Sequence, residues 1–151
     1  MRAYLILIIA SFLMASACKT VQTEQTDNSD LVIKTGFICG WGSGQDSMEV
    51  TQKAVKYIYY VPRKSSQAQI TKTRAISDAE WTEISSAVNM ADFVKLDYKT
   101  CNVCVDGCDE WISIEKGKLS HQITFNKGEK INSIGKLQIQ LAKLRAEFNP
   151  N

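Results

Sequence analysis

The sequence predicts an α+β domain, an antiparallel or mixed sheet with two helices packed on one face. Three observations carry this. Short stretches between residues 31 and 125 alternate apolar with polar side chains, the two-residue period of half-buried strands, and are broken by Gly, Pro and polar clusters. Two later stretches switch to apolar residues three and four apart, the spacing of a helix with one buried stripe. The order is strands, helix, hairpin, helix, with no repeat along the chain.

Leu31, Ile33, Phe37 and Cys39 share one parity, so the first strand has an inward face and Cys39 points into it. Gly40-Trp41-Gly42-Ser43-Gly44 follows as a loop, and residues 48–51 resume an extended pattern. Residues 54–61 are dense in Val, Ile and Tyr and stop at Pro62; a polar stretch and a strand near 68–75 follow. Ser77-Asp78-Ala79-Glu80 has the form of a capping box, in which the Ser hydroxyl and the Glu carboxylate each bind the other's backbone N–H. It opens a helix whose buried stripe would be Trp81, Ile84, Val88 and Ala91.

A hairpin comes next. With Gly117 and Lys118 central in a type II′ turn, Ile114 faces His121, Ile112 faces Ile123 and Glu110 faces Phe125. This register turns Cys108 inward and leaves Trp111, Ser113, Glu115, Ser120, Gln122 and Thr124 on the other face. The last helix carries Ile134, Leu137, Leu141, Leu144 and Phe148 before Pro150.

The amino-terminal region has a different composition. Arg2 precedes an apolar run over residues 3–14, interrupted only by Ser11 and shorter than the roughly 20 residues of a membrane-spanning helix. Ala15-Ser16-Ala17-Cys18 closes the run and resembles the lipobox of bacterial lipoproteins with a type II signal peptide. The resemblance implies removal of residues 1–17, a diacylglycerol on the Cys18 thiol and an acylated amino terminus. Ala15 stands where that family usually has Leu, and the same residues also fit the A-x-A site of ordinary secretion. Cysteine parity favours lipidation, since acylating one of five cysteines leaves Cys39, Cys101, Cys104 and Cys108 free to pair. Lys19 in place of Asp implies, by the same resemblance, sorting to the outer membrane, facing the periplasm.

Residues 18–30 read as the lipidated cysteine and a polar tether, with an r.m.s. span of roughly 20 Å. Residues 31–151 make a single domain. Without Arg2 the chain holds 17 basic and 16 acidic side chains, a balance that points to no nucleic-acid partner. The basic and aromatic mixture around Tyr57, Tyr59 and Tyr60 reads as a solvated hairpin face.

Cys101-Asn102-Val103-Cys104 and the nearby Cys108 form the densest chemical feature. Structural disulfides suit an exported domain; four cysteines allow three connectivities, among which the sequence alone does not select, and strand parity favours Cys39 with Cys108, leaving Cys101 with Cys104. The alternative is a periplasmic thiol-disulfide oxidoreductase using the CxxC pair, although Asp106-Gly107 leads into a strand where a thioredoxin-like site would open a helix. A zinc site on Cys101, Cys104, Cys108 and either Cys39 or His121 has permissive spacing but no second paired knuckle.

Other motifs fail on spacing. Gly40, Gly42 and Gly44 do not form GxGxxG, Ser43 lacks the GxSxG frame, and Asp106, Asp109 and Glu110 lack a calcium-loop pattern. With no catalytic constellation, metal or cofactor motif, the expected function is a membrane-tethered binding or interaction module of the cell envelope. Its candidate partner contacts, toward an envelope protein or ligand, are Trp41 and Trp111.

Overall fold

The computed structural model describes residue 28, residues 30–64 and residues 66–148. The expected signal peptide, Cys18 and the expected tether, apart from residues 28 and 30, lie outside the described residues. Six strands form one sheet: β1 (Leu31–Cys39), β2 (Gln45–Val50), β3 (Ala54–Tyr60), β4 (Ile70–Ala75), β5 (Cys108–Lys116) and β6 (Leu119–Asn126). Their order is β4-β3-β2-β1-β5-β6, and neighbouring strands run antiparallel. Tyr98, Lys99 and Thr100 run parallel beside β6; Thr124 N donates to Tyr98 O at 2.9 Å and Thr100 N to Thr124 O at 3.0 Å.

The β5–β6 register is the expected one, with Ile114 opposite His121, Ile112 opposite Ile123 and Glu110 opposite Phe125. Gly117 takes φ +57° in the turn while Lys118 keeps a negative φ, so only the first central residue needs the left-handed region, as in type II′. Alternation therefore gathers Leu31, Ile33, Met48, Val50, Val55, Tyr57, Ile112, Ile114, Ile123 and Phe125 on one buried face.

Helices α1 (Asp78–Ser86), α2 (Met90–Phe93) and α3 (Gly135–Phe148) cover that face. The Ser77–Glu80 capping box opens α1, and Leu137, Leu141, Leu144 and Phe148 form the buried stripe of α3. The second half of the α1 stripe is corrected. α1 ends at Ser86; Val88 is half-buried and Ala91 exposed, and a separate turn of helix buries Phe93 instead. Asn89 causes the break by taking an extended conformation while its side chain accepts from Asp92 N, the cap of a new helix rather than the interior of an old one. β2 also begins earlier than expected, which brings Asp46 into the sheet.

β1 links two ends of the molecule. At its start Asn28 O accepts from Leu31 N at 3.1 Å and Asn28 Oδ1 from Lys116 Nζ at 2.7 Å, so the chain meets the domain beside the β5–β6 turn. At its finish, roughly 26 Å away at about 3.3 Å per residue, lies the turn carrying Trp41.

Candidate functional site

The far end of the sheet is a stapled apex. Cys39 and Cys108 are paired across β1 and β5 and joined by a disulfide, and Cys101 is joined to Cys104, the connectivity that strand parity predicts. The two linked segments also touch through backbone, with Gly40 N donating to Gly107 O at 2.8 Å. Trp41 therefore sits in a 3-10 turn pinned on one side by the disulfide and on the other by Arg63 N, which donates to Gly42 O at 3.1 Å.

Trp41 is 65 % exposed and has φ +59°, ψ 11°. A left-handed conformation costs a side chain with a Cβ about 1–2 kcal/mol, so a bulky aromatic there is held by its surroundings. The Arg63 guanidinium lies over the indole, 4.9 Å from the ring centroid. Ile38, Gln45 and Tyr60 form one row on the outer face of β1, β2 and β3 beneath this turn. Ile38 is 39 % exposed, Tyr60 37 % and Val105, from the Cys101–Cys104 turn, 78 %. One end of the molecule thus displays aromatic and aliphatic side chains on a cross-linked frame.

Trp111 lies apart from the apex, half-buried on the outer sheet face. It pairs with Gly36, and a Cβ on Gly36 would stand 2.9 Å from the indole Cε2 and Cζ2 and 2.3 Å from Asp46 O. Only glycine permits this approach, which lets the ring lie across the strand. Lys34, Ser47, Glu49, Lys56, Ile58 and Trp111 border an open groove of about 210 Å³. Organic ligands ordinarily occupy pockets of about 300–1000 Å³ that enclose most of their surface, so the groove suits contact with another surface better than enclosure of a small molecule.

A buried ionic cluster, unannounced by any local motif, lies under the end of α3. Asp46 is 5 % exposed. Its Oδ1 accepts from Phe37 N at 3.0 Å, and its Oδ2 is 3.2 Å from Arg145 Nε. Arg145 Nη1 donates to Glu110 Oε1 at 3.0 Å and Nη2 to Thr35 Oγ1 at 3.2 Å, while Thr35 donates to Trp111 O at 2.9 Å. One guanidinium thereby ties α3 to β1, β2 and β5. Burial pushes the Asp46 carboxyl above its ordinary value against the opposing effect of Arg145. Tyr57 beside it is wholly buried; burial first and the Asp46 charge second push its phenol up to about 12. The recess next to Arg145 is small, about 50 Å³, and is bordered by Thr35, Glu110 and Gln138. The cluster fastens the helix to the sheet.

The remaining candidates are also placed. Asp109 is buried and organises the Cys101–Cys104 turn, accepting from Thr100 Oγ1 and Asn102 Nδ2 at 2.7 Å each and from Val103 N at 3.0 Å. Burial pushes its carboxyl up, but these hydrogen bonds together outweigh that and hold it below the usual value. His121 Nε2 is 2.8 Å from Leu96 O, with the ring edge-on to Phe93. The four thiols of the zinc alternative are committed to the two disulfides, and the described residues contain no group of three or more His, Cys, Asp or Glu able to hold a metal. Among the described residues no helix is long and apolar enough to cross a membrane. No protein-family model matches the chain, and no curated protein shows significant similarity to it.

Proposed function

We propose that the protein is a lipid-anchored interaction module of the bacterial cell envelope, held at the outer membrane and facing the periplasm. Cys18 carries the lipid, residues 18–30 form the spacer, and the disulfide-stapled domain presents its apex to an envelope partner. The observation that carries this reading is Trp41, two-thirds exposed in a left-handed backbone conformation on a frame closed by the Cys39–Cys108 bond. Strained backbone is retained where the surroundings over-determine it, typically at binding sites. The chain enters the domain beside Lys116, about the length of β1 from Trp41, so the attachment point of the spacer and the contact end lie at opposite ends of β1.

Exposed tryptophan is among the side chains that most often anchor protein contacts, and Arg63 over its ring adds a cation to the same patch. Trp111 offers a second contact at the sheet face. Immobilised full-length protein should capture its partner from detergent-solubilised envelope, and Trp41→Ala should reduce capture at least tenfold with the disulfides intact. Equal capture by wild type and variant would remove the apex as the contact surface. The intact mass of protein taken from membranes tests the anchor separately: a diacylated Cys18 supports it, and a chain beginning at an unmodified Cys18 refutes it.

A further inference from the structure

We propose that the Cys101–Cys104 disulfide is an exchangeable bond, through which the apex oxidises the thiol pair of a polypeptide docked beside it. The two disulfides differ in ways that a common stapling role does not require. Cys101 and Cys104 are both exposed, whereas Cys39 and Cys108 are half-buried. The first pair closes a sequence separation of 3 and the second a separation of 69, so the first restrains the unfolded chain far less.

The Cys101–Cys104 turn is also held without its sulfurs. Cys104 N donates to Cys101 O at 3.1 Å, Gly107 N donates to Asn102 O at 2.7 Å, and the Asp109 carboxylate gathers the Thr100, Asn102 and Val103 donors from both sides of Cys101. Opening the bond would leave that hydrogen-bonded frame in place.

Its neighbours supply a docking surface. Val105 follows Cys104 directly and is 78 % exposed. Trp41 stands on the adjoining turn, where a Cβ on Gly40 would come within 2.8 Å of Asp106 Cα. A non-polar client segment lying on Trp41 and Val105 would bring its thiols to the bond. The inference rests on the apex reading above for where that client docks.

The exchange balances without an outside oxidant. A client thiolate attacks one sulfur of the pair; the Cys101–Cys104 bond breaks, a mixed disulfide forms, and the other cysteine leaves as a thiolate. The client's second thiolate attacks its own sulfur in the mixed disulfide. The client ends as a disulfide, oxidised by two electrons, and Cys101 and Cys104 end as two thiols after taking up its two protons. The pair lies in a four-residue 3-10 turn that leads into β5, so no helix terminus stabilises the leaving thiolate as at a thioredoxin-type site. One client disulfide per molecule follows, a stoichiometric transfer rather than turnover.

The test uses the full chain with two reductants: reduced glutathione, and a synthetic peptide carrying a reduced Cys-x-x-Cys flanked by Leu and Phe. Samples are acid-quenched, alkylated and mapped by mass spectrometry. The proposal expects label at Cys101 and Cys104 only, one peptide disulfide per pair labelled, and an unchanged far-ultraviolet spectrum. Trp41→Ala should slow the reaction with peptide at least fivefold and leave that with glutathione unaltered. Resistance of Cys101–Cys104 to both reductants, or labelling of all four cysteines together with loss of structure, would overturn the exchange. Equal peptide rates in wild type and variant, with Cys101 and Cys104 still labelled, would overturn the docking and the apex reading while locating the failure there.

Discussion

Trp41 and Arg145 place opposite demands on the fold, one straining it and the other securing it. With φ +59°, Trp41 occupies a region that glycine enters freely, so Trp41→Gly releases local strain while loosening the unfolded chain. The net effect should be no loss, and up to about 1 kcal/mol gain, in urea unfolding, together with loss of partner capture. A stability loss above about 1 kcal/mol would mean that the indole packs as a structural element. Arg145 is the reverse case. Its side chain is 17 % exposed and that of Asp46 only 1 %, so Arg145→Met would leave a buried carboxylate without its counter-charge. The expected cost is about 3 kcal/mol, and adding Asp46→Asn should recover part of it. Independent, additive losses in the double variant would show that the two side chains are not coupled.

At the scale of elements, the two disulfides should differ in what they contribute. Chain entropy assigns about 4 kcal/mol to a bond closing the Cys39–Cys108 separation of 69 and about 2 kcal/mol or less to one closing the Cys101–Cys104 separation of 3. Serine at both members of each pair, compared by urea denaturation, should reproduce that order; a larger loss from the Cys101–Cys104 pair would show that the turn depends on its bond. Strand alternation puts Cys39 and Cys108 on one face and so favoured their pairing, whereas Cys101 and Cys104 lie in a turn and were paired only as the remainder. The hairpin register was readable from the same alternation, with Gly117 marking the turn. The end of α1 was not. Val88 and Ala91 continue the three-and-four spacing, but Asn89 binds the backbone of Asp92, and a periodic pattern carries no information about that local competitor.

For the whole molecule, alkaline stability reports on the sealed centre between sheet and helix. Tyr57 is fully buried and stacks on Phe148 of α3 at 5.5 Å between centroids. Its phenol is pushed up to about 12 in the folded state, against about 10 when unfolded. The folded protein therefore holds this proton more tightly. Its contribution to stability is complete below about pH 10 and is lost as pH rises toward about 12. Tyr57→Phe should flatten the decline of stability over that interval relative to wild type, measured by urea titrations at successive pH. Among the described residues the Tyr57 hydroxyl has no hydrogen-bond partner, so the variant should cost little at neutral pH. Parallel curves would mean that the phenol titrates from a solvated site.

The sequence by itself determined the α+β class, the inward faces of the strands, the β5–β6 register, the capped start of α1 and the stripe of α3, and it favoured one pairing of the cysteines that the structure then fixed. Each follows from a period set by backbone geometry or a turn set by one or two residues, and so is written locally. Only the tertiary structure decided that Arg145 reaches Asp46, Glu110 and Thr35, that Tyr57 is sealed beneath α3, and that Trp41 and Val105 share an apex while Trp111 lies across Gly36. Those placements join residues far apart in the chain. They depend on which strands become neighbours and which helix crosses them, and burial then sets which charges must pair and which aromatic rings remain exposed.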